Sequence, residues 1–441
     1  MRERTQPSGM FGFSIVWLGQ FVSMIGSGMT RFALTIWAWQ ITGEATALAL
    51  VGFFSFMPIV LFSPLAGAIV DRVNRKLVMI VSDLAAGLST IAILILHLTG
   101  HLQIWHLYAA GFFAGAFESF QFPAYSAAIT TMVDKKHYTR ANAMLGMAGS
   151  ASGIIAPMLA VPFLALLGIN GVLTIDIVTF AFAVVVLLFV AIPQPQETAT
   201  GRASRGNLFQ ESMFGFKYIF TNRSLLGLQL VFFAINLTAT MSMVLAAPMI
   251  LARTGNNELI LASTQVLFGI GGVVGGLLIS TWGGPKRRVH GVLLGMIFSS
   301  LLGHITIGIG QSALFWGAGA FFMMFFLPLI NGSNQAIWQA KVPADIQGKV
   351  FATRRLIAQI SAPIAMILGG RLADLVFEPG MLPGGSLATI FGPLVGTGPG
   401  AGMGLMFVFT GLLGALVGLS GYLFPAVRNA EDLLPDHDAV T

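Results

Sequence analysis

The chain has 441 residues, of which 56% are hydrophobic and only 9% are charged. A soluble protein carries about 25% charged residues, so much of this surface must face lipid. The chain contains 0 Cys, which excludes disulfides, thiolate metal sites and cysteine nucleophiles. The net charge of +6 does not indicate a nucleic-acid partner, because the basic residues are distributed over many short connections.

Twelve apolar segments follow one another along the chain, each long enough for a helix of about 20 residues to cross a bilayer. We expect spans at residues 13–39, 48–70, 77–98, 105–131, 141–168, 171–192, 224–251, 260–282, 289–309, 312–339, 350–376 and 403–425. The sequence therefore predicts an all-α membrane protein with twelve transmembrane helices.

The basic residues are concentrated on one side of these spans. All but three of the 23 Lys and Arg residues lie at the termini or near the even-numbered connections. The exceptions are Arg253 in an odd-numbered connection, and Arg31 and Arg371 within spans. Positive charge stays on the cytoplasmic side during insertion. We therefore expect a multi-pass plasma-membrane protein with both termini in the cytoplasm.

The longest cytoplasmic connection, residues 193–223, divides the chain into halves. Its second part, residues 207–220, has the pattern of an interfacial amphipathic helix. We predict a six-helix bundle at 1–192, a linker at 193–223, a second six-helix bundle at 224–427 and an acidic cytoplasmic tail at 428–441. The outer connection 377–402 is rich in Gly and Pro, so we expect an irregular lid or packed loop there.

The two halves share landmarks at nearly one sequence offset. Gly67 precedes the loop after span 2, and Gly276 precedes the loop after span 8. Segments 133–140 and 342–349 follow spans 4 and 10 at the same offset. A third match lies at the prolines of spans 5 and 11. Together the three matches predict two copies of one bundle related by a pseudo-twofold axis.

The run Gly67-Ala-Ile-Val-Asp-Arg-Val-Asn-Arg-Lys76 resembles the signature loop G-x-x-x-D-R-x-x-R-K of the major facilitator superfamily. Segments 18–28, 140–143 and 282–288 are similar to the macrolide-efflux branch of its drug:proton antiporters, and the similarity extends over essentially the whole chain. Two departures affect the usual proton-relay positions of that branch. Span 4 lacks an arginine, and span 5 has Ala156-Pro157 in place of Gly-Pro.

The resemblance implies a role for the signature loop as a latch on the inner face. The latch comprises Gly67, Asp71, Arg72, Arg75 and Lys76. Asp71 would accept hydrogen bonds from the N-terminus of span 11, favoured by the helix dipole. The alternative is that these residues are ordinary cytoplasmic anchors; we favour the anchor for Lys76 and the latch for Asp71 and Arg72. In the second copy Ser280 replaces the acid, so we expect an asymmetric latch.

Two ionisable residues lie at membrane depth, where a charge is costly and indicates function. Glu118 is near the middle of span 4, and Arg31 is in the outer half of span 1. In the resembling fold both spans line the central cavity. We predict that Glu118 binds the coupling proton and that Arg31 modulates its proton affinity. The alternative is a static buried ion pair that joins the two spans.

Other charges in the spans are interpreted as structural. Asp83 lies near the signature loop and is interpreted as a partner of its arginines. Asp176, near the outer end of span 6, is expected to cap a helix or to reach the interface. Arg371 and Asp374 are three residues apart in span 11 and predict a local ion pair.

Polar and aromatic side chains at helical spacing predict a substrate cavity lined by spans 1, 4, 7 and 10, as the resemblance implies. The candidate cavity residues are Gln20, Ser27, Gln121, Tyr125, Gln229, Phe233, Asn236, Thr240, Phe325 and Asn334. Walls of Phe and Met with a few amides suit bulky amphiphilic compounds better than sugars. Simple contact with lipid is the alternative for many of the apolar positions.

These features predict a secondary active transporter that exports drug-like amphiphiles in exchange for protons by alternating access. We expect it to act as a monomer, with neither cofactor nor metal. The alternatives are a siderophore or lipid-like substrate, and a membrane sensor that binds without transport. The sequence has no paired-His metal motif, nucleophile elbow or phosphate loop, so we do not expect an enzyme.

Overall fold

The computed structural model of the protein describes residues 9–70, 73–133, 138–193, 208–342 and 347–433, and in these ranges it contains helices and no strands. The chain separates into two compact units. One consists of Met1–Gly43 and Leu50–Glu197, and the other of Glu44–Ala49 and Thr198–Thr441.

The N-terminal half of the chain forms five long helices. They are α1 (Gly9–Thr42), α2 (Ala45–Val70), α3 (Arg75–Leu98), α4 (Ile104–Met132) and α5 (Tyr138–Phe189). The 52 residues of α5 include predicted spans 5 and 6, with a sharp change of direction at Gly168, where φ is 66° and ψ is −175°. Glycine adopts this positive φ without the steric penalty of other residues.

Because spans 7, 9, 10 and 11 are each divided into pieces, the described residues of the second unit form both long and short helices. They are α6 (Leu208–Thr221), α7 (Arg223–Met243), α8 (Ala246–Thr254), α9 (Glu258–Trp282), α10 (Arg288–Phe298), α11 (Thr306–Ile309), α12 (Ala313–Phe325), α13 (Leu327–Lys341), α14 (Gln347–Leu372), α15 (Glu378–Met381), α16 (Ala388–Val395), α17 (Ala401–Leu423), α18 (Pro425–Arg428) and α19 (Ala430–Leu433). Two π-helical turns, Ser299–Ile305 and Ala373–Phe377, interrupt spans 9 and 11.

The described helices contain 10 segments that are long and apolar enough to cross a membrane. One of them, Met147–Phe189, holds two predicted spans on either side of Gly168. Helix α4 occupies the remaining predicted span. The described chain therefore accounts for all twelve predicted crossings, and the prediction of an all-α membrane protein is confirmed.

Close backbone contact joins α9 to α12 in the second unit. A Cβ atom on Gly271 or Gly275 would overlap the backbone carbonyl of Phe321 or Phe325, respectively. Small residues let helices approach in this way in membranes, where apolar side chains gain little by leaving lipid. The neighbouring Gly276 has no atom within 4 Å of its would-be Cβ, so only one face of α9 makes this approach.

The outer connection 377–402 is more regular than the sequence predicted, because it contains the short helices α15 and α16. Three alternate glycines that follow α16 have positive φ: Gly396, Gly398 and Gly400. The Gly-rich run is therefore a defined turn structure in which glycine is needed at every second position.

Arg253 holds this connection through its backbone. Its guanidinium donates hydrogen bonds to the carbonyl oxygens of Gly310, Val395 and Gly400 at nitrogen–oxygen distances of 3.1, 2.9 and 3.1 Å. Glu378 accepts from the Gly400 N–H at 2.9 Å. The basic residue that departs from the one-sided charge pattern is thus a structural clamp of the outer connection.

Asp374 forms a helix cap and not the predicted ion pair. Its carboxylate accepts hydrogen bonds from the N–H groups of Ala45 at 3.0 Å and Thr46 at 2.6 Å. These residues begin α2 and group with the second unit. No ion pair joins Asp374 to Arg371, both of which are described. The prediction is wrong because the unpaired N–H groups at a helix start attract a carboxylate more strongly than an exposed arginine.

We predict different effects for one substitution at two adjacent glycines of α9. Gly275→Ala places a methyl group against the Phe325 carbonyl and should lower the free energy of unfolding by about 1–3 kcal/mol. Gly276→Ala meets no atom within 4 Å and should be neutral or stabilising by up to about 1 kcal/mol. Thermal unfolding of the purified protein in detergent measures both. Equal effects would contradict the one-sided approach.

Candidate functional site

Three polar side chains from three helices meet inside the first unit. The Asp83 carboxylate of α3 accepts hydrogen bonds from Gln20 Nε2 of α1 at 2.7 Å and from Gln121 Nε2 of α4 at 2.5 Å. Gln121 Nε2 also donates to Gln20 Oε1 at 3.0 Å. Asp83 is only 4% exposed. A buried carboxylate is therefore stabilised by two neutral amides, an arrangement that we name the Asp83 network.

The interpretation of Asp83 as a partner of Arg75 is wrong, because no ion pair joins these two described residues, and its alternative partner Arg72 lies outside the described residues. Asp83 is close to the signature loop in sequence, which suggested the wrong partner. One sequence feature does indicate that its side chain faces other helices. Asp83 shares a buried stripe of α3 with Met79, Gly87 and Thr90, at spacings of one helical turn. That stripe directs the carboxylate towards other helices of the unit.

Tyr125 lies one turn beyond Gln121 on α4. Its ring centroid is 6.2 Å from that of Phe13, and both residues belong to the apolar core of the first unit. The buried hydroxyl has no hydrogen-bond partner among the described residues, and it is close enough for the charge of Asp83 to act on it. An unpaired buried hydroxyl costs about 1–3 kcal/mol. The Tyr125 hydroxyl is therefore free to form a hydrogen bond when the Asp83 network rearranges.

Glu118 and Arg31 are both exposed at the surface of the first unit. No ion pair joins them in the part of the chain that the structure describes. The alternative of a static buried pair between spans 1 and 4 is therefore not supported. The role of Glu118 and Arg31 in proton coupling stays a prediction.

A second buried carboxylate, Asp176 of α5, is 3% exposed. It accepts hydrogen bonds from Ser27 Oγ of α1 and Thr90 Oγ1 of α3, both at 2.9 Å. The expectation that Asp176 caps a helix or reaches the interface is therefore wrong, because its partners lie inside the unit. The hydroxyl of Ser27, a candidate cavity residue, is occupied by this carboxylate.

In the second unit the structure reveals a half-buried cation whose contacts the sequence interpretation missed. Arg354 Nη1 donates to Gln335 Oε1 at 2.9 Å, and its Cζ lies 5.2 Å from the Trp338 ring centroid and 5.8 Å from that of Phe351. Gln229, a candidate cavity residue, donates to the Arg354 carbonyl at 3.2 Å. Among the described residues no carboxylate pairs with Arg354. Aromatic faces and an amide therefore stabilise this charge.

The other candidate cavity residues of the second unit differ in burial. Phe233, Asn236 and Thr240 are half-buried on α7, whereas Asn334 is 2% exposed. Phe325 stacks on the Phe321 ring, meets the Phe326 ring edge to face and lines an apolar groove of about 260 Å³. Which of these residues contacts substrate stays a prediction.

The signature loop is only partly described. Asp71 and Arg72 lie outside the described residues, and of Gly67 only the helical backbone is described. Arg75 is buried at the start of α3. Lys76 Nζ donates to the carbonyls of Leu188 and Val190 at 3.0 and 2.9 Å, at the C-terminal end of α5. This contact matches an anchoring role for Lys76, since cations stabilise the last carbonyls of a helix.

The described residues hold no group of three or more His, Asp or Glu side chains that could bind a metal ion. His97 Nδ1 pairs with Asn170 Oδ1 at 2.7 Å, and His304 is buried in the π-helical turn of span 9.

Residues 16–366 match the sequence profile of the Major Facilitator Superfamily. The chain belongs to this superfamily. As a Major Facilitator Superfamily member it is a multi-pass membrane transporter of small molecules and not an enzyme. The family resemblance predicted from the signature loop is confirmed.

Relatives of this superfamily member include proteins named for drug efflux. It is 25% identical over 366 residues to Macrolide efflux protein A of Streptococcus pyogenes, with 82% of this chain and 90% of the relative covered. It is 24% identical over 326 residues to the protein of the same name in Enterococcus faecalis, with 74% and 100% covered. An uncharacterized MFS-type transporter of Bacillus subtilis, YfiS, is 22% identical, with 83% and 87% covered.

Solved transporters share the fold of this superfamily member. A bacterial homologue of the human lysosomal transporter Spinster, in an inward-facing and unoccupied conformation, gives a TM-score of 0.69 at 15% identity, with 95% and 98% of the two chains covered. The POT family transporter PepTSo gives 0.69 at 13% identity, with 96% and 99% covered. At such identities the similarity establishes the fold alone.

We predict that Ser27 stabilises the protein and does not bind substrate. Ser27→Ala removes one donor from the buried Asp176 carboxylate and should lower the free energy of unfolding by about 1–3 kcal/mol. Ser89→Ala is the matched control, because within the described structure the Ser89 hydroxyl donates to Ala85 O of its own helix and to no other group. Thermal unfolding measures both variants. If Ser27→Ala left stability unchanged but weakened substrate binding, the result would support the prediction that Ser27 lines the substrate cavity.

Proposed function

We propose that this transporter exports amphiphilic small molecules of the drug or macrolide type and that proton uptake drives the export. The observation that carries the proposal is the buried Asp83 carboxylate held between Gln20 and Gln121. Coupling to a proton gradient requires a group that changes charge inside the protein, and an intramembrane carboxylate is such a group. The macrolide-efflux relatives support the class of substrate.

Protonation would rearrange the Asp83 network. The ionised carboxylate accepts hydrogen bonds from both amides, whereas the neutral acid turns one oxygen into a donor. At least one amide must then reorient, so that its own oxygen accepts the new O–H donor. Gln20 and Gln121 lie on the helices that the family resemblance assigns to the cavity wall. Proton uptake at Asp83 would therefore change the polar groups that α1 and α4 offer to substrate.

An amphiphilic substrate fits the composition of the candidate cavity. The chain contains 36 Phe and 21 Met residues, and Phe233 is half-buried on the same helix as Asn236 and Thr240. Aromatic and thioether groups bind apolar surface of varied shape, while an amide and a hydroxyl orient one polar group. A sugar would need a larger number of paired polar groups.

Glu118, with Arg31, is the second candidate for proton coupling. Its exposed side chain on α4 differs from Asp83 in having no amide partner in the described structure. A siderophore or lipid-like substrate, or binding without transport, are the alternative functions. We also infer a monomer in the cell membrane with cytoplasmic termini, in which two bundles of six helices alternate access to the cavity.

We predict that Asp83→Asn abolishes transport driven by a pH gradient while substrate binding persists. Asparagine keeps the shape of the side chain but cannot gain or lose the proton. The measurement is uptake of a panel of amphiphilic antibiotics, macrolides included, into inverted vesicles with an imposed pH gradient. Binding is measured separately on the purified variant.

Two matched variants test whether a different carboxyl group, Asp176 or Glu118, binds the coupling proton. Asp176→Asn changes a second buried carboxyl that contacts hydroxyls and no candidate amide, so gradient-driven uptake should persist. Glu118→Gln should also retain uptake if Asp83 is the coupling group. Loss of uptake in Glu118→Gln, with Asp83→Asn still active, would identify Glu118 and not Asp83 as the coupling group. Binding without uptake in the unmodified protein would instead support a sensor.

A further inference from the structure

An apolar groove lies between spans 8, 9 and 10 of the second unit, within the membrane-spanning part. Its volume is about 260 Å³, and its lining includes Leu278, Trp282, Leu294, Phe298, Phe325 and Phe326. Leu278, Trp282 and Leu294 are each more than a third exposed, so the groove opens at the surface of the unit. A surface groove with such a lining at membrane depth accommodates a hydrocarbon chain.

A basic loop borders one end of this groove. The loop runs from Gly283 to Arg288, between the end of α9 and the start of α10, and two residues that flank its basic run, Pro285 and His290, line the groove. Gly283 and Gly284 have φ of 80° and 84°, which turns the chain immediately after the helix. The three successive basic residues Lys286, Arg287 and Arg288 lie in the sequence between these two lining residues and are therefore close to this end of the groove.

The charges around the loop leave an excess of positive charge. Arg287 forms an ion pair with Asp432, and Glu431 accepts from the N–H of Val289 at 2.9 Å. Arg288 Nη1 donates to a backbone carbonyl, that of Ala336, at 3.0 Å, which leaves its charge unneutralised. Lys286 is exposed and makes no ion pair or hydrogen bond within the described residues. Two cationic side chains of the loop are thus free of acidic partners in that part of the chain.

We propose that the groove and the basic loop together form a binding site for an anionic phospholipid, with one acyl chain in the groove and the phosphate on Lys286 and Arg288. Trp282, which lines the groove beside the loop, has the amphipathic ring that settles at the level of lipid headgroups. Basic pockets between transmembrane helices attract phosphate-bearing headgroups. The one-sided distribution of basic residues predicts the cytoplasmic leaflet.

This site gives the second copy of the signature loop a role of its own. The first copy contains Asp71, which the family resemblance assigns to a latch, whereas the second copy has Ser280 at the corresponding position. Loss of the acid removes a group that would repel a phosphate. The duplicated loop has therefore diverged from a protein contact towards a lipid contact.

The experiment measures lipid binding to the purified protein in neutral detergent by native mass spectrometry and thermal shift. Phosphatidylglycerol and phosphatidylcholine with the same acyl chains are the two probes. A basic side chain near the headgroup contributes about fivefold to anionic lipid binding, so Lys286→Gln with Arg288→Gln should weaken phosphatidylglycerol binding by about thirtyfold. Phosphatidylcholine binding should change little. Leu294→Trp, which fills the groove, should weaken both lipids.

Two controls separate this site from general charge and from free phosphate. Lys217→Gln with Arg223→Gln removes the same charge from exposed positions elsewhere in the second unit and should leave the lipid preference unchanged. Glycerol 3-phosphate, which lacks acyl chains, should give no thermal shift. Equal binding of the two lipids by the unmodified protein, equal losses in the two double variants, or full binding by glycerol 3-phosphate would each overturn the proposal. None of these measurements depends on transport.

Discussion

Every charge inside the two units must be stabilised by protein groups, because a bilayer supplies no water to a buried ion. Desolvation of a lone ion costs several kcal/mol even after relaxation, so each buried charge draws neighbouring helices together. Asp83 joins α1, α3 and α4 through two amides, and Asp176 joins α1, α3 and α5 through two hydroxyls. The same three-way contacts that stabilise the first unit thus place two ionisable groups in its interior.

The second unit meets this requirement with cations. Arg253 uses backbone carbonyls, whereas Arg354 uses two aromatic rings and the amide of Gln335. The sequence repeat therefore does not extend to the buried charges. Each unit contains charges of both signs, since Arg75 is buried in the first and Glu378 is half-buried in the second, but the partners that stabilise the charges differ. This difference favours coupling chemistry in the first unit, where neutral donors surround a carboxylate.

The spans, and with them the fold class, could be predicted because length and hydrophobicity are properties of a segment and need no knowledge of its neighbours. The site was harder to predict for a specific reason. Sequence position gives the depth of Glu118 and Asp83 in the membrane, but not which neighbouring helix each faces. Glu118 is near the middle of its span and is exposed, whereas Asp83 is near a span end and is buried.

Contacts to backbone groups were the other limit of prediction. Asp374 binds N–H groups of α2, and Arg253 binds three carbonyls in two distant segments. Such partners have no side-chain signature, so no residue pattern indicates them.

The clamp made by Arg253 also limits which sequence changes the outer connection tolerates. Its guanidinium recognises carbonyl oxygens, which every amino acid possesses, and it is therefore indifferent to the side chains of the connection that it holds. Thr397 and Pro399, the residues between the alternate glycines, are exposed, and the described hydrogen bonds of the clamp do not use their side chains. An inserted or deleted residue would move the carbonyls out of reach, so the clamp constrains the length of this outer turn, and the positive φ values constrain its three alternate positions to glycine.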